Sequence, residues 1–404
     1  KKDFPKTYAG TADLYVMFVE HGLRILRPNG QFVFIIPNKW MRAGYGENLR
    51  KWLKTLAIEQ IADFGDLPVF DEATTYPSIL SIRNTAAAST HFQAVQIDTL
   101  KYEVGLADYI QAKRFDVNFE SLQNEGWQLT NGTVQQLMTK LRATGIPLND
   151  YVKGQIYYGI KTGLNEAFVI DAATKNKLIA EDARSAEIIK PFLAGRDIKR
   201  YQTPTTDKYL IFTRRGITIE NYPAILNYLN NFKNRLTPKP KNHTGEWEGR
   251  KEGAYKWYEI QDAVDYYNEF EKPKILWPGI NLEITSFALD SSSLYGNDNT
   301  HLIISDSKHL LPLLNSSVSK FYLKHTCDFV RGGYARLKIS YVSQMPIPYS
   351  IESEGLLLNN LTTQILTAKA ADSNADTLAL ESEIDRLVYA LYGLTEEEIA
   401  IVEG

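Results

Sequence analysis

Cysteine and long apolar runs are almost absent from this 404-residue sequence. One cysteine, Cys327, excludes a disulfide framework and a cysteine-rich zinc site. The longest apolar run, FVFIIP, is far too short to cross a bilayer, and no stretch resembles a signal peptide. Because 44% of the residues are hydrophobic, the chain can still build two cores of ordinary size. We therefore expect a soluble, cytoplasmic, monomeric protein with no membrane partner.

The usual signatures of a complete active site are also missing. The sequence contains neither a GxGxxG turn nor a GxxxxGK[ST] phosphate loop. Its six histidines are scattered without metal-ligand spacing, so we predict no metal site. No Ser-His-Asp arrangement and no paired-acid nuclease pattern can be argued from the residues.

Positive charge is unevenly distributed along the chain. From residue 351 to the end there are 2 Lys/Arg against 11 Asp/Glu, a balance of −9, whereas residues 190–257 hold 14 Lys/Arg against 6 Asp/Glu, a balance of +8. This asymmetry predicts a polyanion partner for the middle of the chain and an acidic tail beside it. A merely solvated basic face remains the alternative.

Periodicity divides the chain into three regions. Helix and strand alternate up to about residue 84, which predicts an α/β, doubly wound sheet. Its strand QFVFIIP is continuously apolar, as expected of a strand covered on both faces. One helix and many short strands rich in Tyr and Trp then predict a mixed α+β region, followed by a helical C-terminal segment with a break at Gly393 and an N-cap at Thr395. We place the boundaries at 1–130, 131–350 and 351–404.

Residues 7–53 (TYAGTADLYVMFVEHGLRILRPNGQFVFIIPNKWMRAGYGENLRKWL) resemble the second half of the catalytic domain of adenine-N6 DNA methyltransferases. Later blocks resemble the TaqI-like target-recognition domain that follows such catalytic domains: GIKTGLNEAFVID, EIIKPFLAGRDIKRY, KPKILWP, LLPLLNSSVSKFYL and GGYARLKISYVSQMPIP. The resemblance implies a partial Rossmann-like methyltransferase sheet (1–130), a target-recognition domain (131–350) and a C-terminal helical segment (351–404). It also implies type IIG-like restriction-modification enzymes as relatives.

The resemblance implies S-adenosylmethionine as methyl donor and a flipped adenine in double-stranded DNA as target. The family's Gly-rich donor-binding turn and its Asn-Pro-Pro-Tyr tetrapeptide lie upstream of the matched region and are absent from this sequence. We therefore expect this chain alone to be inactive and to work with a missing N-terminal half. Mg²⁺ is expected only if a nuclease domain is fused upstream.

Three residues in the first region match family positions near the chemistry. Phe70 matches an aromatic that stacks on the flipped base, and Asp13 and Phe18 match a helix beside the donor pocket. The alternatives are that Phe70 plugs the core at a strand end, Asp13 is a helix N-cap and Phe18 a core side chain.

Cations near glycine turns supply the candidates for DNA contact. Lys and Arg can hold phosphates, and Arg, Asn and Thr can also reach base edges. The alternative is an ordinary hairpin for the segments of Lys161 and Arg331, and a structural ion pair with Asp197 for Arg196. The aromatic loop at 244–260, which contains Arg250, either packs on DNA or is pinned by its own rings. The predicted DNA-binding residues are Lys161, Thr162, Asn165, Arg196, Lys199, Arg200, Arg214, Arg215, Arg331, Arg336 and Lys338.

Two further functions remain open from the sequence. The chain could be a non-catalytic specificity subunit that works with a separate methyltransferase or nuclease. A carbohydrate- or protein-binding β domain would also use exposed aromatics, but the basic balance and the order of the blocks argue against it.

Overall fold

The computed structural model describes residues 2–72, 75–103, 105–122, 124, 126–330 and 332–404. The chain forms two compact units: the first comprises residues 1–143 and 325–335, and the second comprises residues 144–324 and 336–404. No helix within the described ranges is both long and apolar enough to cross a membrane. The predicted functional boundaries at residues 130 and 350 stay a prediction.

Helices and strands alternate through most of the chain. The α-helices are α1 Leu14–Ile25, α2 Glu47–Leu53, α3 Leu106–Lys113, α4 Gly132–Ala143, α5 Leu148–Tyr151, α6 Asn165–Phe168, α7 Ala172–Glu181, α8 Ser185–Ile188, α9 Pro223–Asn230, α10 Lys233–Leu236, α11 Leu310–Asn315, α12 Ser317–Thr326, α13 Ile339–Val342, α14 Gly355–Ala371, α15 Leu378–Leu391 and α16 Glu396–Glu403. The strands are β1 Gln31–Pro37, β2 Leu56–Asp63, β3 Pro77–Ala86, β4 His91–Gln96, β5 Phe115–Asn118, β6 Gly145–Pro147, β7 Ile156–Tyr158, β8 Val169–Asp171, β9 Ile189–Leu193, β10 Lys208–Ile211, β11 Lys274–Pro278, β12 Ile280–Asn281, β13 Ala288–Asp290, β14 Tyr295–Gly296, β15 Thr300–Ile304, β16 Asp328–Val330, β17 Tyr334–Arg336 and β18 Pro346–Pro348.

The first unit is built on a five-stranded sheet in the order β1-β3-β2-β4-β5. β3 is antiparallel to both β1 and β2, and β4 is parallel to β2, so β1, β2 and β4 run in one direction. Their carboxyl ends therefore lie at one edge of the sheet. In open α/β sheets this edge is where ligands bind.

One face of β1 is not covered, contrary to the prediction of burial on both faces. Val33 is 58% exposed and Ile35 43% exposed, although Phe32, Phe34 and Ile36 join the core beneath α1. β1 is also the edge strand of its sheet among the described residues. An apolar sequence alone cannot show whether a second layer is present on the far side, because that depends on the rest of the fold.

The second unit contains two four-stranded sheets, in the orders β14-β9-β10-β8 and β13-β11-β15-β7. Apolar side chains from both sheets and from α9 form one continuous core. Within this core Lys274 and Asp290 form a fully buried ion pair, with 2.5 Å between Nζ and Oδ2. The predicted mixed α+β character of this region is confirmed.

The C-terminal segment is helical, as predicted. Gly393 has a φ of 61°, which ends α15, and α16 then begins with a capping box formed by Thr395 and Glu398. The predicted fold class, an α/β sheet followed by a mixed region and a helical segment, is confirmed. The reversed directions of β3 and β5 were not predicted, because periodicity does not specify strand direction.

Candidate nucleic-acid interface

Two polar side chains meet at the carboxyl edge of the first sheet. Asn38 directly follows β1 and donates from Nδ2 to Oδ1 of Asp63, the last residue of β2, at 2.8 Å. The same Asp63 oxygen accepts from the amide of Gly65 at 3.0 Å. Sequence reasoning missed this pair, although polar residues that directly follow apolar strands were the available signal.

Phe70 lies in the loop between β2 and β3, beyond this pair. Its side chain is 43% exposed, so the alternative of a core plug is wrong. Leu67 and Val69 pack against a small apolar cluster of the first unit and hold the start of the loop in place. An anchored loop that presents an exposed ring is suited to stacking against a base, because a π-face must be free to receive it.

The start of α1 contains the predicted donor-pocket residues. Asp13 is the N-cap, and its carboxylate accepts from the amide of Leu14 at 2.7 Å. Phe18 is half exposed, so it is not the core side chain of the alternative interpretation. Nearby, the hydroxyls of Tyr15 and Tyr45 lie 2.9 Å apart, and burial raises the pKa of each, with the charge of Asp13 adding to the rise.

Asp13 and Phe18 could form one wall of a donor pocket, but not a complete pocket. An exposed ring and a carboxylate beside the carboxyl edge are of the right kind for a nucleoside-containing donor. The Gly-rich turn that would hold most of that donor is not in the sequence. Among the described residues no group of His, Cys, Asp and Glu could hold a metal ion.

A turn from late in the chain belongs to this first unit. Gly332 and Gly333 both have positive φ, and the Gly333 amide donates to Oδ2 of Asp66 at 3.3 Å. Asp66 lies four residues before Phe70, so the turn contacts the same loop. Arg331, a predicted DNA contact beside this turn, lies outside the described residues.

In the second unit, Lys161 and Thr162 lie in the loop before α6, and Asn165 is the first residue of α6. Lys161 is exposed, whereas Thr162 is buried and donates from Oγ1 to Oδ1 of Asn165 at 2.6 Å. The Thr162 carbonyl accepts from the amide of Gln261 at 3.1 Å. Thr162 thus shapes the loop, and Lys161 and Asn165 present the exposed polar groups.

Arg214 and Arg215 follow β10 and meet the same segment. The Arg215 guanidinium donates from Nη2 to the carbonyl of Gln261 at 2.7 Å, and Arg214 lies 5.0 Å from the ring centre of Tyr267. The structure therefore brings the loop of Lys161 and the loop of Arg215 together through Gln261. Arg214 is exposed and Arg215 is half-buried.

Arg250 links several backbone segments next to the loops of Lys161 and Arg215. It is buried, and its guanidinium donates to five backbone carbonyls, those of Thr162, Leu236, Lys256, Trp257 and Glu259. Burial lowers its pKa to about 10. A buried guanidinium cannot contact DNA, so Arg250 is not a DNA contact, and its hydrogen bonds hold the loop in place. The sequence did not distinguish this arginine from its exposed neighbours.

The block Arg196, Lys199 and Arg200 contains two different environments. Arg196 is 87% exposed and lies 3.9 Å from Asp197, a surface ion pair that contributes little to stability. Lys199 is also exposed. Arg200 instead donates from Nη2 to Oε2 of Glu381 in α15 at 2.6 Å and from Nη1 to Oγ1 of Thr285 at 3.0 Å. This geometry favours a structural role for Arg200.

Arg336 and Lys338 are exposed on either side of buried Leu337. The Leu337 amide donates to the carbonyl of Gly279 at 2.9 Å, and the Lys338 ammonium lies 5.3 Å from the ring centre of Tyr341. The alternation of exposed and buried residues in this short extended stretch directs the two cations to one side.

The connection between β14 and β15, together with the adjoining strand residues Gly296 and Thr300, contacts three of these cationic segments. Ile160 pairs with Asn297 in a bridge, the Gly195 amide donates to Oδ1 of Asn297 at 3.2 Å, and the Gly279 amide donates to the carbonyl of Asn299 at 2.8 Å. Lys161 follows Ile160, and Arg196 follows Gly195, so both cations are adjacent to residues that contact this loop directly. Arg336 precedes Leu337, which contacts Gly279, and Gly279 in turn contacts the loop. We call residues 296–300 the central loop.

Glycine allows this close approach. A Cβ on Gly159 would lie 1.9 Å from the carbonyl oxygen of Asn297, and one on Gly195 would lie 2.3 Å from that of Asn299. No side chain fits at either position without moving the backbone. The glycines that made these segments candidates for flexible DNA-binding turns therefore serve close packing against the central loop.

Comparisons with known proteins agree with this architecture. Residues 1–70 match the Eco57I restriction-modification methylase family, and residues 190–347 match the TaqI-like C-terminal specificity domain. Over 99% of its length the chain is 24% identical to the type II methyltransferase M.PaeR7I of Pseudomonas aeruginosa. In both of these regions the chain is therefore similar to restriction-modification methyltransferases. The central loop and the Arg196 and Arg336 segments all lie within the region that matches the specificity domain.

Two further relatives extend this result. The type II methyltransferase M.XhoI of Xanthomonas vasicola is 24% identical over 98% of the chain. The structure of the type IIL restriction-modification enzyme MmeI in complex with DNA superposes over 96% of the chain with a TM-score of 0.60 and 14% identity, which shows a shared fold. The chain spans 67% of the length of M.PaeR7I and 50% of the MmeI chain.

Proposed function

We propose that this chain recognises a specific sequence in double-stranded DNA for an enzyme that methylates adenine at N6. The observation that carries the proposal is the placement of exposed Lys161, Arg196 and Arg336 around the central loop of a specificity domain. Exposed cations on a well-packed support can neutralise phosphates and fix the position of the protein on a duplex. Cytoplasmic location and a monomeric state accompany this proposal.

In this proposal the first unit contributes to base capture. The target adenine is extruded from the duplex, which costs a few kcal/mol, and the exposed ring of Phe70 stacks on it. S-adenosylmethionine supplies the methyl group, and Asp13 and Phe18 would form one wall of its pocket. The Asn-Pro-Pro-Tyr loop that grips the adenine amine is not in the sequence, so we expect no methyl transfer by this chain alone.

The open edge of β1 supports the need for a further catalytic part. Val33 and Ile35 are exposed on an edge strand whose other face is well packed. An edge strand with exposed apolar side chains is a template for pairing with another strand. The additional strand would come either from an upstream part of the same polypeptide or from a separate catalytic subunit, for which this chain would be the specificity subunit.

The reading frame distinguishes these two versions. An upstream extension that encodes a Gly-rich turn and Asn-Pro-Pro-Tyr would establish a single-chain enzyme. A start codon immediately before Lys1 would favour the separate specificity subunit. A nuclease domain in the extension would add restriction activity and, with it, a role for Mg²⁺.

DNA recognition itself is tested by selecting bound duplexes from a randomised library and measuring affinity against salt concentration. We expect one enriched sequence, and a slope of log affinity against log salt that falls by about one for each phosphate-contacting cation removed. Lys161→Ala and Lys199→Ala are the variants that remove one such cation each. Failure of the wild-type chain to enrich any sequence would refute the proposal.

A methylation assay tests the expected dependence on the missing part. The chain is incubated with S-adenosylmethionine and the selected duplex, and N6-methyladenine is measured. We expect none until a polypeptide carrying the two missing motifs is added. Turnover by this chain alone would show that the tetrapeptide is dispensable or replaced.

A further inference from the structure

Several hydrogen bonds hold the apex of the central loop. Oδ1 of Asn297 accepts from the amide of Asn299 at 3.2 Å and from Oγ1 of Thr300 at 3.0 Å. The Asn297 amide donates to the carbonyl of Leu193 at 2.9 Å. Together with the contacts to Gly195 and Gly279, these bonds hold both neighbours of Asp298 in place.

Asp298 is the residue that this framework presents to solvent. It is exposed, and in the described part of the chain its carboxylate accepts no hydrogen bond and forms no ion pair within 4 Å. Its negative charge acts on the neighbouring Asp262. Burial raises the pKa of Asp262, Lys161 opposes that rise, and the charge of Asp298 adds to it. Asp298 therefore lies close to the Lys161 loop without neutralising its cation.

The acidic side chain of Asp298 among exposed cations has to be reconciled with DNA binding. Phosphates approach Lys161, Arg196 and Arg336, and a carboxylate among them repels those phosphates. When DNA is bound, the Asp298 carboxylate is therefore unfavourable unless it meets a hydrogen-bond donor on the DNA. An ionised carboxylate only accepts hydrogen bonds, and the donors on base edges in the major groove are the exocyclic amines, N4 of cytosine and N6 of adenine.

We propose that Asp298 is a specificity-determining residue that accepts a hydrogen bond from the exocyclic amine of one base in the major groove. This inference rests on the proposed DNA recognition. The cations hold the duplex by its phosphates on either side, and the locked loop presents the carboxylate to a single base pair. Rigid presentation matters because a mobile acid would discriminate poorly between bases.

The test compares sequence selection by the wild-type chain, Asp298→Ala and Asp298→Asn. Asp207, which is also exposed in the second unit and lies 3.6 Å from Lys208, supplies the matched control Asp207→Asn. We expect Asp298→Ala to lose its preference at one position of the selected sequence by about 10- to 100-fold. The other positions, the thermal unfolding temperature and the salt slope should stay unchanged, and the control should select like the wild type.

The identity of the amine is then read from the affected position. If it is cytosine, N4-methylcytosine at that position weakens binding of the wild type and not of Asp298→Ala, and N6-methyladenine does the same if it is adenine. Unchanged selection by Asp298→Ala would overturn the inference, as would an equal loss at every position, which indicates a structural role. If the wild type selects no sequence, the proposed function itself fails, and this result is distinct from both.

Discussion

The guanidinium of Arg200 and the carboxylate of Glu381 form a half-buried ion pair with 2.6 Å between Nη2 and Oε2. The Arg200 Nε also donates to the same oxygen at 2.8 Å, and the pair joins the segment after β9 to α15. One cation of the basic middle region is thus used by the acidic C-terminal segment. The net charge of a region does not show which of its cations are available to a partner.

Arg200→Ala should destabilise the protein without a matching loss of phosphate contact. Glu381 would keep a half-buried charge with the Thr377 hydroxyl as donor but without its cationic partner, which costs about 2 kcal/mol. Urea unfolding measures this loss, and the salt slope of DNA binding should stay constant. The matched variant is Arg196→Ala, which removes an exposed cation and should lower the slope by about one while leaving stability unchanged. The reverse pattern would show that Arg200 is the phosphate contact.

His301 should make stability depend on pH. It is 6% exposed, and burial lowers its pKa to about 4. The folded protein therefore holds a neutral imidazole, whereas the unfolded chain binds a proton below about pH 6.5, so stability falls as pH drops from 6.5 towards 4. Between pH 7 and pH 5 the wild type should lose about 2 kcal/mol more than His301→Gln in urea unfolding. Equal losses would mean that His301 is protonated in the folded state.

Arg250→Ala should be among the most damaging single changes in the second unit. It removes a buried guanidinium that donates to five backbone carbonyls, of which, among the residues that the structure describes, only those of Thr162 and Lys256 keep a backbone amide donor, and this costs more than about 3 kcal/mol. Hydrogen exchange should show loss of protection at residues 256–262. Lys251→Ala, one residue along and exposed, is the control and should change stability by less than about 0.5 kcal/mol. A stable Arg250→Ala variant would contradict the structural role.

Phe70→Ala should weaken binding to DNA with an extruded adenine and leave folding intact. Stacking on an aromatic contributes about 1–3 kcal/mol per base, so affinity for a duplex with one extrahelical adenine should fall about 5- to 150-fold. Affinity for the fully paired duplex should change much less. Phe18→Ala, which removes an equally exposed ring from α1, should affect neither duplex. Equal losses for Phe70→Ala on both duplexes would exclude base stacking.

Local sequence patterns determined much of this protein. The strand at Gln31–Pro37, the N-cap at Thr395 and the break at Gly393 follow from neighbouring residues, since propensity and capping act over a few positions. The order of family-like blocks likewise predicted a methylase region followed by a specificity domain. Such features need no knowledge of distant parts of the chain.

Only the tertiary structure decided how individual side chains are used. Arg196 and Arg200 are four residues apart, yet one is exposed and the other is paired with Glu381. Similarly, Arg250 is buried beside exposed Lys251, and Asp298 gained its position from contacts made by Gly195 and Gly279. These outcomes depend on residues far apart in sequence, because burial and partner distance are properties of packing.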